Sequence, residues 1–396
     1  MSTEVKVIIG ANYGDEGKGL ASHYFSQQAK LNNKKCLNIL FNGGCQRGHT
    51  VDYKDGTRHV FHHFGAGLLD GADTYFDSDF MVNPLVFIDE LQDLFPVVRD
   101  RHIYANMGCR VITPYDAFIN QLVEERRGDN RHGSCGHGIW ETYKRYEDSG
   151  YNWSLGKFIR EQNDERIKYL THIRDIYLPN RLLKYGISMK DVPKKYLDVI
   201  NSEEVLRSYL NALDAFIRII KPIYSFTDIK KNYDSLIFEG AQGLALDENN
   251  KAEYPNVTAS KTGSAVPLQR IKGMDCDVEV CYITRSYFTR HGAGFLPNEC
   301  SKEEINPDIV DETNIFNDFQ QNIRYAPFDF KPFFTRVMSD FIATREPEYP
   351  LKYSFFVTHL NYCDCDIPEK YRTTIYASAT KYAEDVEVYL YEKRQP

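Results

Sequence analysis

Three stretches of this sequence combine glycine with side chains that can hold, polarise or move charge. The first is Gly10-Ala11-Asn12-Tyr13-Gly14-Asp15-Glu16-Gly17-Lys18-Gly19, set between an apolar run and a helical pattern. A glycine-rich turn feeding a helix N-terminus presents backbone N–H groups to a phosphate, and Lys18 adds a mobile positive charge. It departs from the Walker A pattern, which wants glycine where Asn12 stands and Ser or Thr where Gly19 stands. A carboxylate beside a phosphate cradle is costly unless it takes a proton or ligates Mg²⁺, which singles out Asp15. The second stretch is Asn42-Gly43-Gly44-Cys45-Gln46-Arg47-Gly48-His49-Thr50. Its glycines and imidazole can approach a transferring phosphoryl group, where positioned donors offset developing charge. The third is Glu239-Gly240-Ala241-Gln242-Gly243, followed by Leu246-Asp247 and by Tyr254-Pro255-Asn256-Val257-Thr258-Ala259-Ser260. A glutamine on a glycine turn both donates and accepts, which suits the edge of a 6-oxopurine.

Each stretch follows an apolar run of the kind that forms a buried parallel strand. The runs are Val5–Ile9, Cys36–Phe41 and Ser235–Phe238, with two more at Val278–Ile283 and Tyr353–Val357. Helical patterns lie between them at Leu20–Lys30, Pro84–Leu94, Tyr115–Glu125 and Glu203–Ile220. The last carries Leu206, Leu210, Leu213 and Ile217 at helical spacing. Such alternation predicts an α/β fold with a large, mostly parallel central sheet flanked by helices. Ligands of these sheets sit at the carboxyl ends of the strands, where the glycine-rich loops fall. The charged, Tyr-rich segment from about 148 to 224 reads as an inserted helical subdomain within a single 1–396 domain.

With 396 residues, 42% of them hydrophobic, the chain can bury a large core. Its 48 basic and 56 acidic residues leave a net charge of −8, so neither nucleic acid nor an anionic membrane is an expected partner. No stretch approaches the roughly 20 apolar residues of a membrane span, and MSTEVKVIIG has no apolar signal region. A cytoplasmic location is the expectation. Nine scattered cysteines predict reduced thiols used mostly as small apolar residues.

In order along the chain, these motifs resemble those of the adenylosuccinate synthetases. That family carries a Gly-Asp-Glu-Gly-Lys-Gly loop after a strand, a Gly-Gly-x-x-Ala-Gly-His-Thr loop, a Glu-Gly-Ala-Gln-Gly turn, a Tyr-Pro-x-Val-Thr segment and a Thr-Arg-x-Gly-Ala-Gly stretch. All five have matches here, the last at Thr289–Gly294. The resemblance implies a Mg²⁺-dependent ligase that phosphorylates O6 of a purine nucleoside monophosphate and displaces the phosphate with the amine of L-aspartate. It implies that Asp15 takes the N1 proton and ligates the metal, that the Gly48 carbonyl reaches the metal, and that His49 hydrogen-bonds the transferring phosphoryl group. Lys18 would sit on the phosphates, Gln242 on the purine edge and Thr258 on the 5′-phosphate, with Arg290–Gly292, including His291, lining the ribose. Gly14, Gly17, Gly19, Gln46, Thr50 and Leu246 join them as nucleotide-binding residues. A family Thr-Thr-Gly-Arg-Gly-Ile segment is matched by Ser134–Ile139, so that Ser134 and Cys135 would contact the phosphate. Family members are commonly homodimers in which an arginine just beyond that segment crosses to the partner's site, and Arg145 is the nearest candidate.

Departures from the family bear on the substrates. The family reads guanine of GTP with Thr-Lys-Leu-Asp, where this chain has Thr358-His359-Leu360-Asn361. Its later Ser-Val-Gly-Pro turn is replaced by Ala377-Ser378-Ala379-Thr380. An amide is a weaker acceptor than a carboxylate and can donate to an adenine ring nitrogen, so ATP or dATP is expected over GTP, with His359, Asn361 and Ala379 at the donor base. In the amino-acid loop Arg324 remains as a carboxylate clamp with Gln321 nearby, a shorter form similar to that of archaeal members and of a viral branch that makes 2-aminoadenylosuccinate from dGMP. Gln46-Arg47 replaces the family's Asn-Ala, and the arginine is expected to bind the purine phosphate or alter the nucleotide's pose. IMP is the default substrate and the same chemistry on GMP or dGMP the alternative. A nucleotide sensor that has lost turnover is a third reading, against which the retained Asp15, Lys18, His49 and Gln242 stand.

Overall fold

The computed structural model describes residues 2–313, 322–344 and 351–391. A ten-stranded sheet runs in the order Glu387–Tyr389, Thr374–Ala377, Leu351–Thr358, Cys276–Arg285, Thr3–Gly10, Ser235–Gly243, Cys36–Leu40, Asp73–Phe76, Ile103–Asn106, Lys221–Ile223. All neighbours are parallel except the first pair. The inner strands are largely apolar because both faces of the sheet are covered, with Lys6 and Glu279 forming a charged pair across two of them. On one side Val5, Val7 and Ile9 pack with Leu236, Phe238 and the Phe333 and Val337 side chains of helix Phe330–Ala343. On the other, Ile8 packs with Leu20, Ala21, Tyr24 and Phe25 of helix Lys18–Leu31.

The expected strands and helices are all present, most of them longer than the patterns that announced them. Ser235–Phe238 continues to Gly243, which places Gln242 at the end of a strand rather than beyond it. Between residues 148 and 220 the structure is mainly helical, and its Phe158, Leu170, Leu182, Leu206, Leu213 and Phe216 share one apolar cluster with Phe76 and Ile103 of the outer strands. The nine cysteines are unpaired. No helix among the described residues is long and apolar enough to cross a membrane.

Candidate active site

Parallel strands in register end together, and here that edge carries the glycine-rich loops. Gly10 lies opposite both Gly243 and Ile283, and Arg285 lies opposite Thr358. The register slips between Ile8, opposite Glu239, and Gly10, opposite Gly243. Gln242 sits in that bulge with φ 64, so the irregularity re-aims its side chain out of the ladder. The loops leaving these strands enclose two adjoining cavities of about 300 and 710 Å³. Asp15, Gln46, Gly48, Gln242 and Thr313 line both.

The smaller cavity is built on the first glycine-rich loop. Gly14, Gly17, Lys18, Gly19, His49 and Thr50 line it. A Cβ on Gly17 (φ 96) would stand 2.7 Å from Thr358 Cγ2, and one on Gly19 would stand 2.7 Å from the Thr50 carbonyl. The loop, the helix it opens and the Thr50 hairpin therefore approach more closely than any side chain permits. Lys18 begins the helix and is buried, which lowers its pKa against the pull of Glu16 and Asp15. Burial raises Glu16 to about 7 although Lys18 and the Asn12 N–H oppose it, the latter at 2.7 Å. His49 is equally buried, and its Nδ1 stands 3.1 Å from Glu239 Oε2. Arg47 bonds the same oxygen at 2.9 Å and already satisfies its charge. Burial and that neighbouring cation push His49 down to about 3, leaving a neutral imidazole. Its Nε2 has no partner among the described residues.

At the far end the smaller cavity is lined by His359, Asn361, Tyr362, Ala379, Thr380 and Lys381. His359 (φ 62) is packed edge-on to Tyr287 and alongside Tyr362, and burial pushes it down to about 3. The larger cavity collects Ser134, Cys135, Leu246, Thr258 and His291. His291 Nε2 stands 3.6 Å from Asp15 Oδ2. Asn120 donates to Ser134 Oγ at 2.8 Å, tying that loop to helix Pro114–Arg127.

The family described as adenylosuccinate synthetase matches residues 7–318. The chain belongs to the adenylosuccinate synthetase family. It is 30% identical to the adenylosuccinate synthetase of Trichodesmium erythraeum over 77% of this chain and 66% of that protein. It is 30% identical to that of Acaryochloris marina over 75% of this chain and 63% of that protein. The chain thus spans somewhat less than two thirds of the length of these curated relatives. Among solved structures it shares the fold of the fully ligated adenylosuccinate synthetase of Plasmodium falciparum, with TM-score 0.64, 18% identity and coverage of 91% and 77%. It also shares that of the cyanophage S-2L succinoaminodeoxyadenylate synthetase bound to dGMP and dATP as an energy donor. There the TM-score is 0.60 at 16% identity, over 98% of this chain and 95% of that one.

Against this family background, three expectations need correction and one falls elsewhere. Arg145 cannot cross to a partner's site. It is fully buried, held by Asp116 at 2.8 and 2.9 Å, by the Val111 and Tyr151 carbonyls at 2.7 Å and by the Tyr169 hydroxyl at 3.0 Å. Arg47 is absent from the larger cavity, where the purine phosphate is expected; it lines only the smaller one, and its Nη2 donates to Glu239 and to the Phe64 carbonyl. Arg324 lines neither cavity and is engaged by Glu299 at 2.7 Å and by the Gly294 carbonyl at 2.8 Å. Gln321 lies outside the described residues. Several site residues went unread in the sequence, namely Glu16, Arg58, Glu239, Arg285, Asp311, Glu312 and Lys381. Glu239 heads a motif whose glutamine drew the attention, and Arg285 ends an apolar run at the edge where site residues belong. Glu16 lies in the first glycine-rich loop beside Asp15, and the others come from segments with no pattern of their own.

Proposed function

We propose that this chain is a C–N ligase that phosphorylates O6 of a 6-oxopurine nucleoside monophosphate, IMP by default, and joins L-aspartate at C6. The observation that carries this reading is the wall common to the two cavities. It presents a partly exposed carboxylate, Asp15, and an outward-turned amide, Gln242, to both sides. With the monophosphate in the larger cavity, Asp15 takes the N1 proton and O6 attacks the γ-phosphorus of a triphosphate in the smaller one. The bond from that phosphorus to the bridging oxygen breaks as the new one forms. The amino-acid amine then attacks C6, and phosphate leaves with the original O6.

Lys18 and the helix N-terminus meet the donor phosphates, and His49 Nε2 faces the group in transfer. An incoming phosphoryl charge favours protonation of the imidazole, whose Nδ1 is held by Glu239. Mg²⁺ takes oxygen ligands, keeps several waters and is commonly held by one or two carboxylates plus substrate phosphates. The Asp15 carboxylate and the Gly48 carbonyl provide oxygens of that kind, and the ion bound there would neutralise charge on the phosphates. In this reading the enzyme works in the cytoplasm as a homodimer, with Arg145 kept inside its own subunit.

A second reading, favoured by Asn361 at the donor end and by the near-complete overlap with the phage enzyme, is the same chemistry on GMP or dGMP with ATP or dATP. Incubation of the pure protein with aspartate, Mg²⁺, each monophosphate and each triphosphate distinguishes the two by product mass. The expected result is a succinyl adduct of one 6-oxopurine monophosphate. No adduct in any combination overturns the ligase assignment.

A further inference from the structure

Arg285 ends a central strand, is 4% exposed and lines the smaller cavity. Its guanidinium reaches in two directions. Nε donates to the backbone carbonyl of Asp15 at 2.5 Å, while Nη1 donates to the Tyr287 hydroxyl at 3.3 Å and to Asp311 Oδ2 at 2.9 Å. Asp15 has φ 53, a conformation that a residue other than glycine keeps only when its surroundings fix it. The guanidinium is one of those surroundings.

Asp311 belongs to the segment Val310–Thr313, whose other ties lead to the far end of the same cavity. The Tyr362 hydroxyl accepts from the Val310 N–H and donates to its carbonyl, at 3.3 Å each. Glu312 pairs with Lys381 at 2.8 Å and with Arg58 at 3.4 Å. Those two cations also pair with Asp52, at 3.7 and 2.8 Å. Arg58, Tyr362 and Lys381 all line the cavity. A continuous run of contacts therefore leads from the end that would hold the donor base to the main chain of the candidate base.

Resting on the proposed function, we propose that Arg285 is a positioning residue that couples occupancy of the donor cavity, through Val310–Thr313, to the placement of Asp15 against the purine. A donor whose phosphates sit at Lys18 places its base against Tyr362 and Lys381, whose present partners are Val310 and Glu312. A ligand shifts an equilibrium only by its different affinity for two arrangements, and the contacts of the base with these two side chains in one arrangement of Val310–Thr313 provide that difference. The coupling is reciprocal, so donor and monophosphate each tighten the other.

The test is calorimetric titration of the full-length protein with IMP and with dGMP, each with and without the non-hydrolysable β,γ-imido analogue of ATP, in Mg²⁺. In the wild type the analogue tightens the monophosphate by at least about 5-fold, the lower end of typical couplings. Asp311→Asn brings that ratio close to one and lowers kcat, while Asp311→Glu retains part of both. Tyr362→Phe removes only the hydroxyl that clamps Val310 and lowers the ratio in the same direction, which decides the matter where Asp311→Asn does not fold. An unchanged ratio in the folded variants, or no coupling in the wild type, overturns the proposal. A protein that shows the coupling but turns over no 6-oxopurine monophosphate sinks the ligase reading and leaves the coupling standing.

Discussion

At Asp15 a single carboxylate is reachable from two cavities, and its removal should separate chemistry from binding. Asp15→Asn keeps the side-chain volume and loses the base, so turnover should fall by roughly 10³-fold while monophosphate binding changes only a few-fold. Near-normal turnover would reassign the base. Asn361 makes a different prediction. A carboxylate accepts two N–H bonds from guanine, and an amide in its place leaves that edge poorly matched by about 1–3 kcal/mol. ATP or dATP should therefore support turnover at least as well as GTP, and Asn361→Asp should move the ratio of kcat/KM values towards GTP. A tenfold preference for GTP in the wild type would show that the donor base is read elsewhere. Glu239 acts through others, binding Arg47, His49 and the Ala66 N–H at once. Replacing it with Gln strands a buried guanidinium, a loss of about 3–5 kcal/mol in urea unfolding. The double variant Arg47→Ala, Glu239→Gln strands no charge and should recover part of that loss. A double variant as weak as the single one would deny the pairing its weight.

Elements hold these residues at one edge, and the least obvious support lies beneath the His49 loop. Glu90, on helix Pro84–Val98, accepts the N–H groups of His62, His63 and Phe64 at 3.0, 2.6 and 3.4 Å. His62 in turn contacts the Cys45 and Arg47 carbonyls. Burial alone would raise Glu90, but the nearby His59 and His63 rings, at 3.6 and 3.8 Å, and the main-chain N–H groups outweigh it and hold the carboxyl well below its usual range. A depressed folded pKa means stability that is present above the ordinary carboxylate value and lost as pH falls below it. Glu90→Gln should thus destabilise by about 2–4 kcal/mol at pH 7. The gap from wild type should narrow as pH drops below about 4.5. A gap independent of pH would mean that the carboxylate charge is not what holds the segment. None of this was legible in the sequence, where Glu90 reads as one more polar position on an amphipathic helix. The five apolar runs were legible because parallel strands buried on both faces leave unbroken hydrophobic stretches. Short outer strands such as Asp73–Phe76 and Lys221–Ile223 leave no such trace, since their pairing is decided by neighbours far away in the chain.

Across the whole molecule, the glycine-rich motifs identified the family and the loops, and the structure brought those loops to one wall. Spacing alone could not tell which side chains turn into the cavities. Gln46 and Arg47 are adjacent, yet the first lines both cavities while the second lines only the smaller one and has its guanidinium held by a carboxylate 192 positions away. Arg145 and Arg324 likewise have the right chemistry, while packing and ion pairs commit them elsewhere. In the proposed mechanism O6 of the purine crosses that wall onto phosphorus before the amine arrives. This order is tested most directly by supplying the turned-over monophosphate with ¹⁸O at the 6-position, together with aspartate, Mg²⁺ and donor, and analysing the released inorganic phosphate by mass. The expected result is one ¹⁸O in each phosphate released and none left in the succinyl adduct. Unlabelled phosphate released alongside the adduct would contradict it.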